Sequence, residues 1–205
     1  MIVRNATLED ITAITRIYNE AIENGKAIWN EVVVGDDDRV EWWRDRTGKG
    51  FPVLVVEDDE EGSDSFGEVV GYATYGRFRE YHGYRYTVEH SIYIRADQRG
   101  KGIAVPLMEK LIQRAKDGGQ HVMVAAIEGS NGPSVKLHKK LGFTMVGEMN
   151  QVGIKFGEWL NLILMQLQLN DDPAPGGELV DEGRSKGNSA QENTRKDNNL
   201  KSHDS

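Results

Sequence analysis

A chain of 205 residues with 38% apolar content and four tryptophans carries enough apolar material for one packed domain. Its formal charge of -8, from 25 Lys and Arg against 33 Asp and Glu, argues against broad binding to nucleic acid or to an anionic membrane while leaving room for a local basic pocket. The absence of cysteine removes disulfides, thiolate metal sites and a cysteine nucleophile, and no stretch approaches the ~20 apolar residues of a membrane span or a leader-like run at "MIVRNATLED".

Ile2 to Arg4 are expected to form a short strand. In "TLED", Thr7 is a predicted N-cap, with Asp10 in the place of the usual Glu of a capping box. The next helix puts Ile11, Ile14, Ile17, Tyr18, Ala21 and Ile22 on one face. Asp36 to Asp38 suit the positive end of a second helix running through Trp42 and Trp43. Val53 to Glu57 read as a buried strand. The acidic "EDDEEGSDSFGE" after it reads most simply as a solvated hairpin loop; the alternative, a metal site, lacks the spacing and late Glu of an EF-hand calcium loop. Strands follow at 69–77 and 86–95.

A helix from about Gly102 to Lys116 carries Ile103, Leu107, Met108, Leu111, Ile112 and Ala115 as its apolar stripe, and Gly118-Gly119 stop it. "HVMVAAI" at 121–127 is a buried strand, Ser130 or Asn131 caps a helix to Lys140, and strands near 143–152 and 159–169 close the domain. The pattern is mixed α/β with one strand–helix–strand crossover. From Asn170 the chain has no aromatic residue and almost no large aliphatic one, so 170–205 reads as a disordered polar tail on a domain spanning 1–169.

"YTVEHSIYIRADQRGKGIA", residues 86–104, holds the functional signal. Its glycine stretch is neither a P-loop, since Lys101 is not followed by Ser or Thr, nor a dinucleotide fingerprint, since Val105 stands where the third Gly belongs. Small residues between a strand and a helix still let backbone amides close on an anion, with Arg99 and Lys101 beside them, and a pyrophosphate is the natural guest. Alternation along the strand sends Thr87, Glu89, Ser91 and Tyr93 to one face and Val88, His90, Ile92 and Ile94 to the other. Glu89 is either a salt-bridged structural carboxylate or a base whose pKa burial raises. Asn131, Ser134 and His138 share one helix face. Arg77, Arg79 and Arg85 flank the strand as candidate forks for a substrate carboxylate.

Arg99-x-x-Gly102-x-Ala104 resembles the acetyl-CoA signature of the GNAT N-acetyltransferase superfamily. The ordered set "AIWN", "TVEHSIYI", "RGKGIA", "VMVAAIEGSNGPSVKLHKKLGF", "VGIKFGEW" and "LNLILMQLQL" resembles its phosphinothricin and methionine sulfoximine acetyltransferase branch, across residues 1–169. The resemblance implies a mixed, mostly antiparallel sheet flanked by helices and a cytoplasmic homodimer. It implies direct acetyl transfer from acetyl-CoA, with no metal, to the α-amine of a small amino-acid analogue. On it, Ile92, Tyr93 and Ile94 present backbone to the pantetheine arm. Gly100, Lys101, Gly102, Ile103, Ala104 and Val105 wrap the pyrophosphate, and Asn131 meets the cofactor. Glu89 takes the base position, and His138 stands where a tyrosine general acid is common. Two departures stand out: Val105-Pro106 in the loop, and Glu158 in "KFGEW", which reverses the usual charge. The rival readings keep the fold but acetylate a peptide N-terminus, a polyamine or another amine metabolite, or make the chain a silent acyl-CoA-binding module.

Overall fold

The computed structural model describes residues 1–174. Its elements run β1 (Ile2–Asn5), α1 (Ile11–Asn24), α2 (Asp36–Gly48), β2 (Val53–Glu57), β3 (Val69–Arg77), β4 (Thr87–Ile94), α3 (Ala104–Asp117), β5 (Val122–Glu128), α4 (Gly132–Lys140), β6 (Thr144–Lys155) and β7 (Glu158–Gln168). They form one seven-stranded sheet in the order β1-β2-β3-β4-β5-β7-β6. Five of its six neighbouring pairs are antiparallel, and β4–β5 alone is parallel, as the α3 crossover requires. The fold class is therefore the mixed, mostly antiparallel α/β arrangement expected.

Helices cover both faces of the sheet. Leu107, Met108, Leu111 and Ala115 of α3 pack with Val88, Met123, Ala125 and Phe143 in the larger core, while α1 brings Ile14 and Ile17 against Val53, Val55 and Tyr72 on the other face. Every residue of β3 except Arg77 is buried, as suits a strand at the middle of a two-sided sheet. The expected alternation along β4 holds: Val88, Ile92 and Ile94 join the α3 core, and Tyr93 turns to the α1 side. Asp10 accepts the Thr7 N–H at 2.7 Å as the capping box predicts, although a 3-10 turn at Leu8–Asp10 precedes the α-helix.

The acidic loop differs from expectation. Asp58 and Ser65 are buried, and the Asp58 carboxylate accepts the Ser63 and Ser65 hydroxyls at 2.6 Å each, which helps hold its pKa down to about 2. Ser65 Oγ in turn accepts from Gln98, so the loop anchors the turn below the glycine stretch and is not simply solvated. The tail expected from Asn170 lies almost wholly outside the described residues. Asn170 itself is tied down, its Oδ1 paired with His121 Nδ1 at 2.8 Å and its Nδ2 donating to Gln120 O at 3.0 Å. Among the described residues no helix is long and apolar enough to cross a membrane.

Candidate active site

The one parallel pairing is short, and its shortness makes the site. β4 and β5 are in register only at Thr87↔Val122, Val88↔Met123 and Glu89↔Val124. Beyond Glu89 the strands part, β4 staying with β3 and β5 with β7. The gap is a cavity of about 330 Å³, walled on the strand sides by Glu89 to Tyr93 and by Ala125 to Glu128. Asn131, Ser134 and His138 close it from α4, and Ala27 and Trp29 from the segment between α1 and α2.

A second hollow of about 340 Å³ continues along the glycine loop, lined by Ile92, Ile94, Arg99, Gly100, Gly102 to Val105, Pro133 and Leu137 among others. Ile92, Asn131 and Ser134 border both spaces, so they read as two ends of one groove. Gly100 and Gly102 have φ of +78° and +80°, which other residues adopt only under strain, and a Cβ on either would meet no atom within 4 Å. Their bare backbone therefore borders open space, as a backbone cradle for an anion requires. α3 starts at Ala104, two residues later than expected, because Gly102 is left-handed.

The loop's side chains are occupied differently from its backbone. Arg99 Nε donates to Ile94 O at 2.9 Å, which ties the loop to the end of β4. Lys101 Nζ donates to Gln98 Oε1 at 2.9 Å. Asn131 caps α4 by accepting Ser134 N–H at 3.1 Å, and its amide nitrogen has no protein partner among the described residues. Pro106 falls in the first turn of α3, where no intrahelical N–H bond is lost.

Glu89 lines the end of the groove away from the glycine loop. Burial pushes its pKa up, opposed by the charge of Arg79. The net upward shift is the right sign for a carboxylate that must take a proton near neutral pH. A second carboxylate, Glu128, also lines the cavity and accepts the Ser130 N–H at 3.0 Å and hydroxyl at 2.6 Å. Two carboxylates suit an ammonium guest. Glu128 went unassigned in the sequence, where its signal was a lone acid ending a buried apolar strand.

His138 is 1% exposed, and both its ring nitrogens are engaged. Ser134 O, 2.7 Å from Nδ1, can only accept, so Nδ1 carries a proton. Burial pushes both His138 and His90 down towards the neutral form. In the neutral pair His138 Nε2 accepts from His90 Nε2–H at 3.0 Å, and His90 Nδ1 is left a buried lone pair without a partner among the described residues. The expected proton donor thus has its outer nitrogen already accepting a hydrogen bond. The stacked pair, with Phe143 edge-on to both rings, makes a rigid cavity wall.

The three candidate arginines part company. Arg79 is the cation whose charge acts on Glu89. Arg85 lies over the Tyr86 ring at 4.7 Å. Arg77 opens into a separate surface hollow with Asp45, Arg46, Lys49, Phe51 and Glu80. None of the three is among the cavity's lining residues. Glu158 pairs with Lys26 at 2.6 Å, tying the β6–β7 turn to the α1–α2 segment.

Known proteins converge on the same picture. The sequence profile described as "Acetyltransferase (GNAT) family" matches residues 13–143. The chain is 51% identical over 168 residues to an L-methionine sulfoximine/L-methionine sulfone acetyltransferase of Pseudomonas aeruginosa, covering 82% of this chain and 94% of that protein. It is 46% identical over 175 residues to the L-amino acid N-acyltransferase MnaT of Escherichia coli, covering 85% and 98%. A GNAT superfamily phosphinothricin acetyltransferase from Sinorhizobium meliloti, solved in complex with acetyl-CoA, superposes with a TM-score of 0.80 at 35% identity, covering 87% of this chain and 94% of that one. With a parted β4–β5 pair, a left-handed glycine loop and these relatives, the chain belongs to the acetyltransferase (GNAT) family.

Proposed function

We propose that the protein transfers acetyl from acetyl-CoA to the α-amine of a small amino-acid analogue of the methionine sulfoximine, methionine sulfone or phosphinothricin kind. The observation that carries this reading is Glu89, a carboxylate raised by burial at the end of a groove whose other end is the glycine loop. Bound acetyl-CoA supplies an activated thioester. Backbone of Ile92, Tyr93 and Ile94 would hold its pantetheine arm in the strand gap, Gly100 to Val105 its pyrophosphate, and the Asn131 amide a neighbouring polar group.

An acceptor arrives as an ammonium ion, which Glu89 and Glu128 attract. Glu89 removes the proton that blocks the amine lone pair, directly or through one water. Arg79 is the arginine best placed to draw the acceptor carboxylate. We assign His138 and His90 to the cavity wall, since a thiolate with a solution pKa near ~8.5 leaves without an acid.

The reading includes a homodimer and a cytoplasmic location, where acetyl-CoA is made and used, with detoxification of amino-acid analogues as the use. Supporting the dimer, β6 is an edge strand exposing Met145, Val146, Met149, Val152 and Ile154, with Phe156 and Trp159 exposed just beyond it. The test is thiol release from acetyl-CoA on mixing with methionine sulfone, beside a panel of peptides, polyamines and ordinary amino acids. Methionine sulfone should lead the panel. Acetyl-CoA binding with no thiol release above background for any amine would leave the silent-module reading standing instead.

A further inference from the structure

Lys155 is 0% exposed, a rare state for a lysine. Its ammonium has three donors, and it spends them on three backbone carbonyls, Ile22 O, Gly25 O and Ile28 O, each at 2.6 Å. Ile22 belongs to the last turn of α1, whose carbonyls have no helical partner, and that turn carries no basic residue of its own. Gly25 and Ile28 belong to the irregular segment that follows, where no ladder satisfies the carbonyls. Lys155 therefore acts as a remote cap, placing a cation at the negative end of α1.

The same strand grips the same segment a second time. The Trp29 ring sits on Gly153, where an added Cβ would lie 2.2 Å from two ring carbons. Glu31 accepts the Phe156 N–H at 2.8 Å just beyond. Within this gripped stretch, Ala27 and Trp29 are the two residues that line the cavity.

We infer that Lys155 is a positioning residue for the acceptor: from the β6–β7 hairpin it fixes the segment 22–29 so that Ala27 and Trp29 present a preformed wall beside Glu89. The inference rests on the acceptor site proposed above. The hollow along the glycine loop, where the acetyl-CoA pyrophosphate would sit, is lined by none of these residues, so the clamp governs acceptor affinity and not cofactor affinity.

Kinetics with methionine sulfone and calorimetric binding of acetyl-CoA, both on the full chain, test it. Lys155→Gln keeps two of the three donors and Lys155→Met none. The acceptor KM should rise about tenfold in the first and further in the second, with the acetyl-CoA Kd within twofold of wild type. Amide hydrogen exchange should quicken in 22–31 and stay unchanged in 99–105. Should neither variant fold, Gly153→Ala, which displaces Trp29 without touching the ammonium, should raise the same KM alone. An unchanged acceptor KM in the folded variants, or a parallel loss of acetyl-CoA binding, overturns the inference. Wild type that turns over no amine at all would instead sink the proposed function, so the two failures are distinct.

Discussion

The two ends of the groove are built by opposite means. At the cofactor end, nearby chain does the work: two left-handed glycines, the start of α3, and Arg99 reaching back five residues to Ile94 O. At the acceptor end, segments far apart in sequence meet. Lys155 bridges to carbonyls more than a hundred residues earlier, and His138 meets His90 across 48 positions. A backbone cradle reads the phosphates common to every acyl-CoA, whereas a wall of assembled side chains is free to differ between acceptors. On the proposed reading, specificity in this chain would reside in tertiary ties and cofactor use in a local motif.

Substitutions at the two ends should therefore separate cleanly. Glu89→Gln should lower turnover by ~10²-fold while leaving acetyl-CoA affinity intact. It should not destabilise the protein. A carboxyl whose pKa folding raises contributes stability below its unfolded value of ~4.3 and loses it as pH rises through the folded value, so at neutral pH the neutral amide is at least as stable. A thermal melt at pH 7 checks this. Gly102→Val puts a β-branched residue at a φ of +80°, a strain of ~1–3 kcal/mol that should weaken acetyl-CoA binding by roughly 10–100-fold by calorimetry. Unaltered affinity would refute the cradle.

Arg79→Ala should raise the acceptor KM by about tenfold and, by removing the charge that holds Glu89 down, move the acid limb of activity to higher pH. If KM stays put, the acceptor carboxylate is held elsewhere. The histidine pair shows its effect in stability. Folding keeps both rings neutral, so their contribution is complete above ~6.5 and falls as pH drops, by at most about 2 kcal/mol per ring at about pH 5. Urea melts at the two pH values should show this loss, and His90→Leu should reduce it. Deleting the residues after Asp172 should leave kcat and KM unchanged, and a loss of activity would give the tail a catalytic role.

The cofactor end was legible in the sequence because its chemistry is local. A glycine pair between an alternating strand and an amphipathic helix predicts a cradle without knowledge of the fold, and Glu89 follows from the period of the same strand. The alternation along β4 is as expected, with Val88, Ile92 and Ile94 on one face and Tyr93 on the other. The acceptor end was only partly legible. His138 was placed in the cavity by helical spacing, but nothing in the sequence shows that His90, on the opposite strand face from Glu89, occupies its Nε2. Lys155 reads as an ordinary loop lysine, since burial by carbonyls of a distant helix end leaves no local pattern. Arg77, Arg79 and Arg85 looked equivalent because the turn geometry that separates them is set by packing.

The central claim is that Glu89, raised by burial, takes the proton of the acceptor amine. The pH dependence of kcat at saturating acetyl-CoA and methionine sulfone tests it most directly, in wild type and in Glu89→Gln. The account predicts that wild-type kcat rises through a single group titrating above the ordinary glutamate range, and that the variant loses this limb together with ~10²-fold of its plateau. The same limb and the same plateau in both proteins would contradict it.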